Sequence, residues 1–177
     1  MSQTLLEIDT PRLKLREFVI EDAAFVLQLL NDPSFIEFIG DRGVRNLEDA
    51  KRYLQEGPIT SYQKYGHGLL HVSLKEADVP IGMCGLIKRD TLPNPDIGFA
   101  LLPTFWNQGY VTEAARAAME HGQRSLGMRV ILGITTPGNV RSIAVLNKLG
   151  LHFVEEKALG NQQEQLKIFR LSVESAP

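Results

Sequence analysis

Apolar and charged residues alternate most clearly near the start of the chain. Over residues 12–18, Leu13 and Leu15 point one way and Arg12, Lys14 and Arg16 the other, the period of a half-buried strand. The period then lengthens. Ala23, Val26, Leu27 and Leu30 recur at helical spacing behind Glu21 and Asp22, which predicts a helix over 21–30. Asn46 is placed to cap a helix over 47–56. Gly57-Pro58 is expected to break it, with Pro58 opening a second helical piece that ends near Gly66.

A β-rich stretch follows. The apolar runs 69–74 and 81–88, parted by the polar Lys75 to Pro80, read as a hairpin, and 96–102 reads as a third strand between proline breakers. From Gly109 the pattern is helical to about Leu126 and stops at Gly127. Residues 129–136 are apolar and β-branched, as in a strand buried on both faces. After the turn Pro137-Gly138, Asn139 caps a helix that Gly150 closes after Leu149. Two last strands, near 151–156 and 165–173, flank a turn at Gly160-Asn161. The order β-α-α-β-β-β-α-β-α-β-β lacks strict βαβ alternation, which argues against a doubly wound nucleotide fold and for a mixed α/β sheet with helices on both faces.

The length, 177 residues, fits one domain spanning 1–177, and a hydrophobic fraction of 44% suffices for a real core. A net charge of -2 gives no reason to expect a nucleic acid or an anionic membrane as partner. The lone cysteine, Cys84, excludes an internal disulfide and a cysteine-rich zinc site and suits a reducing compartment. Met1 to Thr10 shows no basic stretch followed by an apolar run, and no segment approaches the roughly 20 apolar residues of a membrane span, so a cytoplasmic location is expected. His67, His71, His121 and His152 are scattered, and no metal site is expected.

Two segments carry candidate chemistry. Trp106-Asn107-Gln108-Gly109-Tyr110-Val111-Thr112-Glu113-Ala114 lies between the strand at Asp96 and the long helix. A helix start leaves backbone N–H groups free for a pyrophosphate, and a glycine lets the anion approach. Thr112 adds a hydroxyl. A lone glycine before a helix is more often only a turn, and neither a P-loop nor a Gly-x-Gly-x-x-Gly is present. The second segment, 139–151, opens with Asn139 and Ser142 three residues apart on one helical turn, which is also the ordinary pattern of a cap.

Together these segments resemble the GNAT superfamily of acetyl-CoA-dependent N-acetyltransferases. Residues 106–114 resemble its Gln/Arg-x-x-Gly-x-Gly/Ala motif. Residues 139–151 resemble the Asn-x-x-Ser-x-x-Val-Leu-x-Lys-x-Gly-Phe run of the RimJ/RimL-like branch, which acetylates ribosomal-protein N-termini, and Thr10-Pro11-Arg12-Leu13-Lys14-Leu15-Arg16 is similar to that branch's opening. The resemblance implies a mostly antiparallel sheet of about seven strands, splayed between the fourth and the fifth. It implies acetyl-CoA as cosubstrate, with its pyrophosphate on the Asn107, Gln108, Gly109, Tyr110, Val111 and Thr112 turn and its pantetheine along the backbone of Phe99, Ala100 and Leu101. Asn139, Ser142 and Asn147 would face the thioester end. The chain departs from the pattern at Trp106 (for Gln or Arg), Val111 (for Gly or Ala), Leu151 (for Phe) and Asn147, which replaces a frequent tyrosine acid.

The implied reaction is direct attack of a primary amine in a ternary complex, most simply an N-terminal amine, whose pKa is about 8 against about 10.4 for lysine. A backbone N–H near Phe99 or Leu101 would support the oxyanion. Asp96, in an Asp-Ile-x-Phe context similar to the acid-Ile-x-Phe of histone-modifying relatives, is the leading base candidate, acting through water. Ser142 is the candidate to protonate the leaving thiolate. His71 and Cys84 lie in apolar runs where structural roles are commoner. Phe25, Phe35 and Phe38 are expected on the acceptor side. Asp32, Glu37 and Asp41 could supply an acidic pocket suited to polycations, but three acids in a helix-loop region are ordinary. A small-molecule acetyltransferase, a non-catalytic acetyl-CoA-binding module and a homodimer remain compatible with the sequence.

Overall fold

Thr10 fixes the first turn: its Oγ1 accepts the Leu13 N–H at 2.9 Å, and the chain folds back so that β1 (Glu7–Asp9) pairs antiparallel with β2 (Leu13–Glu17). The computed structural model describes residues 4–173. Helices α1 (Ala23–Leu30), α2 (Pro33–Phe38), α3 (Leu47–Leu54) and α4 (Thr60–Tyr65) come next, then β3 (Leu69–Leu74), β4 (Val79–Ile87) and β5 (Asp96–Leu101). Helix α5 (Tyr110–Ser125), β6 (Val130–Thr135), α6 (Val140–Lys148), β7 (His152–Ala158) and β8 (Gln165–Ser172) complete the chain.

The strands form one eight-stranded sheet in the order β1-β2-β3-β4-β5-β6-β8-β7. All neighbours are antiparallel except β5 and β6, which run parallel and share a single registered pair, Asp96 with Leu132. The Leu132 N–H donates to the Pro95 carbonyl at 2.8 Å. Beyond that rung the strands part, which is the expected splay.

Each face of the sheet carries its own core. On one side Leu13, Leu15, Val72 and Ile81 pack under Ala114, Ala115, Ala118 and Met119 of α5. Gly122 brings α5 close, since a Cβ there would lie 2.4 Å from Leu86 Cδ1. On the other side Phe18, Val26, Leu29, Phe35 and Leu54 enclose Met83 beneath α1 to α3. The half-buried strand read at 12–18 thus buries its leucines as expected.

Three local expectations change. The sheet has one strand more than expected, the short β1. Helix α2 is an element the sequence reading did not include: the Asp32 carboxylate caps it by accepting the Ser34 N–H at 2.9 Å, and Pro33 takes the first position. Gly57-Pro58 does not break the chain's helical run. One wide turn (Gln55–Ile59) carries the backbone past Pro58 into α4. A turn of that kind shifts the hydrogen-bond ladder and so accommodates a residue without a donor.

Candidate active site

The turn into α5 is shaped by two left-handed residues, Asn107 at φ 60° and Gly109 at φ 80°. Asparagine tolerates that region and glycine enters it freely. The result is a run of amides, Gln108 to Thr112, for which no protein acceptor exists among the described residues; the first amide of the turn to be accepted is Glu113, by the Gly109 carbonyl. Such an array at a helix start is an anion site by geometry and by dipole.

A clasp from the far end of the sheet holds this turn. The Arg12 guanidinium donates to the Gln108 carbonyl at 2.8 Å and to Glu113 Oε2 at 2.7 Å, and lies 4.4 Å from the centre of the Tyr110 ring. Thr10 Oγ1 and the Arg12 N–H both donate to Glu113 Oε1. Burial pushes the Glu113 carboxyl up, but these bonds outweigh it and hold it below the usual carboxylate range.

Across the splay, the free edge of β5 forms the second wall. The Leu102 N–H donates to Ile81, and the Ala100 carbonyl lies against Gly82, so by strand alternation Ala100 turns its main chain to β4, whereas Phe99 and Leu101 turn theirs to the gap. The Trp106 indole occupies one of those groups, donating to the Leu101 carbonyl at 2.9 Å, and Arg141 stacks on the indole at 4.3 Å. What remains open is the N–H and carbonyl of Phe99 and the N–H of Leu101. Ala100, expected to pair through its backbone, contributes a methyl instead.

Helix α6 closes the third side. Asn139 is its cap, accepting the Ser142 N–H at 3.2 Å, and both residues also line the cavity. That cavity, of about 260 Å³, brings together Phe99, Ala100, Leu101, Asn107, Gly109, Tyr110, Val111, Thr112, Asn139 and Ser142, ten of the residues singled out in the sequence. Gln108 stands behind the turn, its side chain donating to the Thr104 carbonyl. Asn147 is exposed and off the cavity wall, because Arg141, Ala144, Val145 and Lys148 are the α6 residues turned inward. Arg141, Lys148 and Arg12 were not anticipated. The first two follow from helical periodicity once Ser142 is placed. Arg12 has no local signal.

The base candidates lie elsewhere. Asp96 sits at the closed end of the splay, 1% exposed, with Arg89 Nε donating to its Oδ1 at 2.8 Å and its Oδ2 unpartnered among the described residues. Burial pushes its carboxyl up against the pull of Arg89. It does not line the cavity, from which about three residues of strand, or 10 Å, separate it. His71 is buried with Phe18 and Phe25 rings edge-on at 5.6 and 5.5 Å, and burial, then Arg16, pushes its pKa down. Cys84 is fully buried, and burial pushes its thiol far up. Among the described residues no group of three or more His, Cys, Asp or Glu side chains is arranged to hold a metal ion, and no helix is long and apolar enough to cross a membrane.

On the acceptor side Ser34, Phe35, Phe38 and Ile39 reach the cavity, while Phe25 packs against His71. Asp32, Glu37 and Asp41 do not line it. Asp32 caps α2, Asp41 is ion-paired with Arg45, and Glu37 faces solvent.

The sequence profile described as acetyltransferase (GNAT) domain matches residues 12–152. The chain belongs to the GNAT acetyltransferases. It is an acetyl-CoA-dependent N-acetyltransferase by that membership. Among similar proteins, the uncharacterised N-acetyltransferase YnaD of Bacillus subtilis is 30% identical over 146 residues, 82% of each chain. The fold superposes on RimL, a ribosomal L7/L12 α-N-protein acetyltransferase solved with coenzyme A, with a TM-score of 0.82 at 16% identity, covering 95% of this GNAT chain and 98% of that one. It also superposes on the microcin C7 self-immunity acetyltransferase MccE, solved with acetyl-CoA and AMP, with a TM-score of 0.77 at 17% identity over 93% and 94% of the two chains.

Proposed function

We propose that this GNAT enzyme binds acetyl-CoA across the Gly109 turn and the β5 edge, and transfers the acetyl group to an α-amino-type primary amine. One observation carries the reading: the unpaired amides of Gly109 to Thr112 are continuous, through one cavity, with the open backbone groups of Phe99 and Leu101. The first set suits a pyrophosphate and the second an amide-bearing arm that adds to a strand edge. Arg141 and Lys148 stand where further phosphate charge would fall.

Acetyl-CoA, when bound, supplies an activated thioester. The amine nitrogen forms the new bond to the acetyl carbon as the carbon–sulfur bond breaks, the electron pair leaves on sulfur, and the amine proton passes to water. Of the Phe99 and Leu101 N–H groups that face the gap, the one the amide-bearing arm leaves free serves as oxyanion donor. Ser142 supplies the one hydroxyl on α6 that faces the cavity, and is the candidate donor to the departing thiolate, whose pKa of about 8.5 asks little of an acid.

Among the described residues no carboxylate or imidazole lines the cavity. The acceptor must therefore arrive neutral or lose its proton on entry. Apolar walls and nearby cations both favour the neutral amine. An amine of pKa about 8 meets that condition far more readily than one of about 10.4.

Trp106 is the only tryptophan and sits in the cavity wall, so its fluorescence reports on the site directly. Titration with acetyl-CoA is expected to change it saturably, and mass spectrometry of amines offered with acetyl-CoA is expected to show gain of one acetyl group. Hydrogen exchange that slows at a surface other than 99–112 and 139–148 would refute the placement.

A further inference from the structure

We infer that the acceptor is an amine flanked by an apolar side chain of leucine or phenylalanine size and carrying no second positive charge. This rests on the acetyltransferase reading of the same cavity and names its substrate class.

The cavity passes through the sheet. At one end lie Gly109 to Thr112, on the α5 face; at the other lie Ser34, Phe38 and Ile39, on the α1–α3 face. With phosphates held at the first end, the amine enters at the second. That entrance is made of large apolar groups left partly open to water, Phe38 at 36% and Ile39 at 41% exposure, over a buried Phe35. They gain from an apolar cover and carry no counter-charge for a cation. Ser34 is the polar exception, and its proton is already given to the Asp32 carboxylate that caps α2, so it can accept from a substrate but not donate to one.

Charge points the same way. Among the described residues no Asp or Glu lines the cavity, and its two cations, Arg141 and Lys148, are placed with the phosphates rather than the acceptor. The acids nearby in sequence are spent on a cap, on Arg45, or on solvent. A polyamine or aminoglycoside would bring two or more ammonium groups to a wall with no counter-charge.

The test compares acceptors that share an α-amino group and differ in the first side chain: Ser-, Ala-, Leu- and Phe-headed tripeptide amides, with leucinamide and spermidine. Binding of acetyl-CoA is followed separately by Trp106 fluorescence. Leu and Phe heads are expected to exceed Ser and Ala in kcat/KM by roughly tenfold or more, the size of burying one such side chain. Phe38→Ala is expected to remove most of that preference while acetyl-CoA affinity stays within about twofold. Saturation-transfer NMR with leucinamide should show contact to the enzyme loaded with coenzyme A, and lose it in Phe38→Ala. Equal rates for leucinamide and the Leu tripeptide mark a free amine as sufficient, and a tripeptide advantage marks a chain end; both agree with the inference. Preference for spermidine or for the Ser head overturns it and leaves the acetyltransferase reading intact. No acetylation of any amine, with acetyl-CoA bound, overturns both.

Discussion

Arg12 provides the sharpest test of how the phosphate turn is held. Replacing it with alanine removes a charge-assisted bond to the Gln108 carbonyl and one to Glu113, at 2.8 and 2.7 Å. It also leaves the Glu113 carboxylate, whose side chain is only 16% exposed, at the start of α5 with Thr10 and one backbone amide as partners. That carboxylate lies about one helical turn from the donor amides, or roughly 8 Å from a phosphate resting on them. Two unit charges at roughly 8 Å repel by about 0.5 kcal/mol in bulk water and about 2 kcal/mol at an effective dielectric of 20. Arg12 is 45% exposed, so solvent screening favours the lower half of that range. The expected result is a loss of acetyl-CoA affinity of about three- to tenfold, measured by Trp106 fluorescence or calorimetry. The loss should shrink at high salt, because the repulsive part is screened. Adding Glu113→Gln to Arg12→Ala should restore part of the affinity, since the repelling charge is then gone. Wild-type affinity in Arg12→Ala, or a double variant weaker than the single one at low salt, would refute the electrostatic account of the clasp.

Other expectations follow from the same geometry. Gly109→Glu strains a φ of 80°, places a Cβ 3.3 Å from Arg12 Nη2 and brings a carboxylate to the anion site, and calorimetry should show acetyl-CoA affinity down by about a hundredfold or more. With no carboxylate or imidazole from the described residues on the cavity wall, log kcat/KM should rise with slope one up to the pKa of the acceptor, and exchanging an amine of pKa about 8 for one of about 10 should move the inflection with it. An inflection that stays put would reveal an enzyme group. Asp96→Asn should slow turnover by less than about tenfold, because a general base is worth about a hundredfold or more, and a loss of that size would return Asp96 to the mechanism. The Asp96 carboxyl is raised in the folded state by burial, so its contribution to stability is present below its unfolded pKa of about 3.8 and is lost as pH climbs through the higher folded value. Thermal melts should therefore show Asp96→Asn gaining on the wild type as pH rises from 4 to 7.

The site was legible where its signals are local. Gly109 before a long helix, Asn139 three residues before Ser142, and proline breakers around β5 are each written within a dozen residues, and the structure assembles them into one cavity. Helix α2 had a local signal too, since Asp32-Pro33 is a cap followed by a first-position proline, but the turn chemistry masked it beside the end of α1. The Arg12–Glu113 clasp is a different matter. Its partners are 101 residues apart, and nothing in either neighbourhood names the other. Asp96 misled for a related reason. Its place on the strand is readable, but whether a strand's start lies at the open or the closed end of a wedge depends on the parallel partner, β6, and on the single rung that joins them. The pairing of β5 with β4 decides that Ala100 turns its backbone to β4 and Phe99 turns its backbone to the gap.

That rung has a mechanical meaning. Strands β1 to β5 and β6 to β8 are zipped within themselves along their length, yet among the described residues the ladder between them has a single registered pair, Asp96 with Leu132. A ligand that fills the wedge ties the halves together at the open end, and so acts as a removable seam. Its binding energy is then also cohesion: at a hundred times its Kd it adds about 2.7 kcal/mol against unfolding. Melting temperature, measured against thioester concentration, would track how tightly the two half-sheets are stitched.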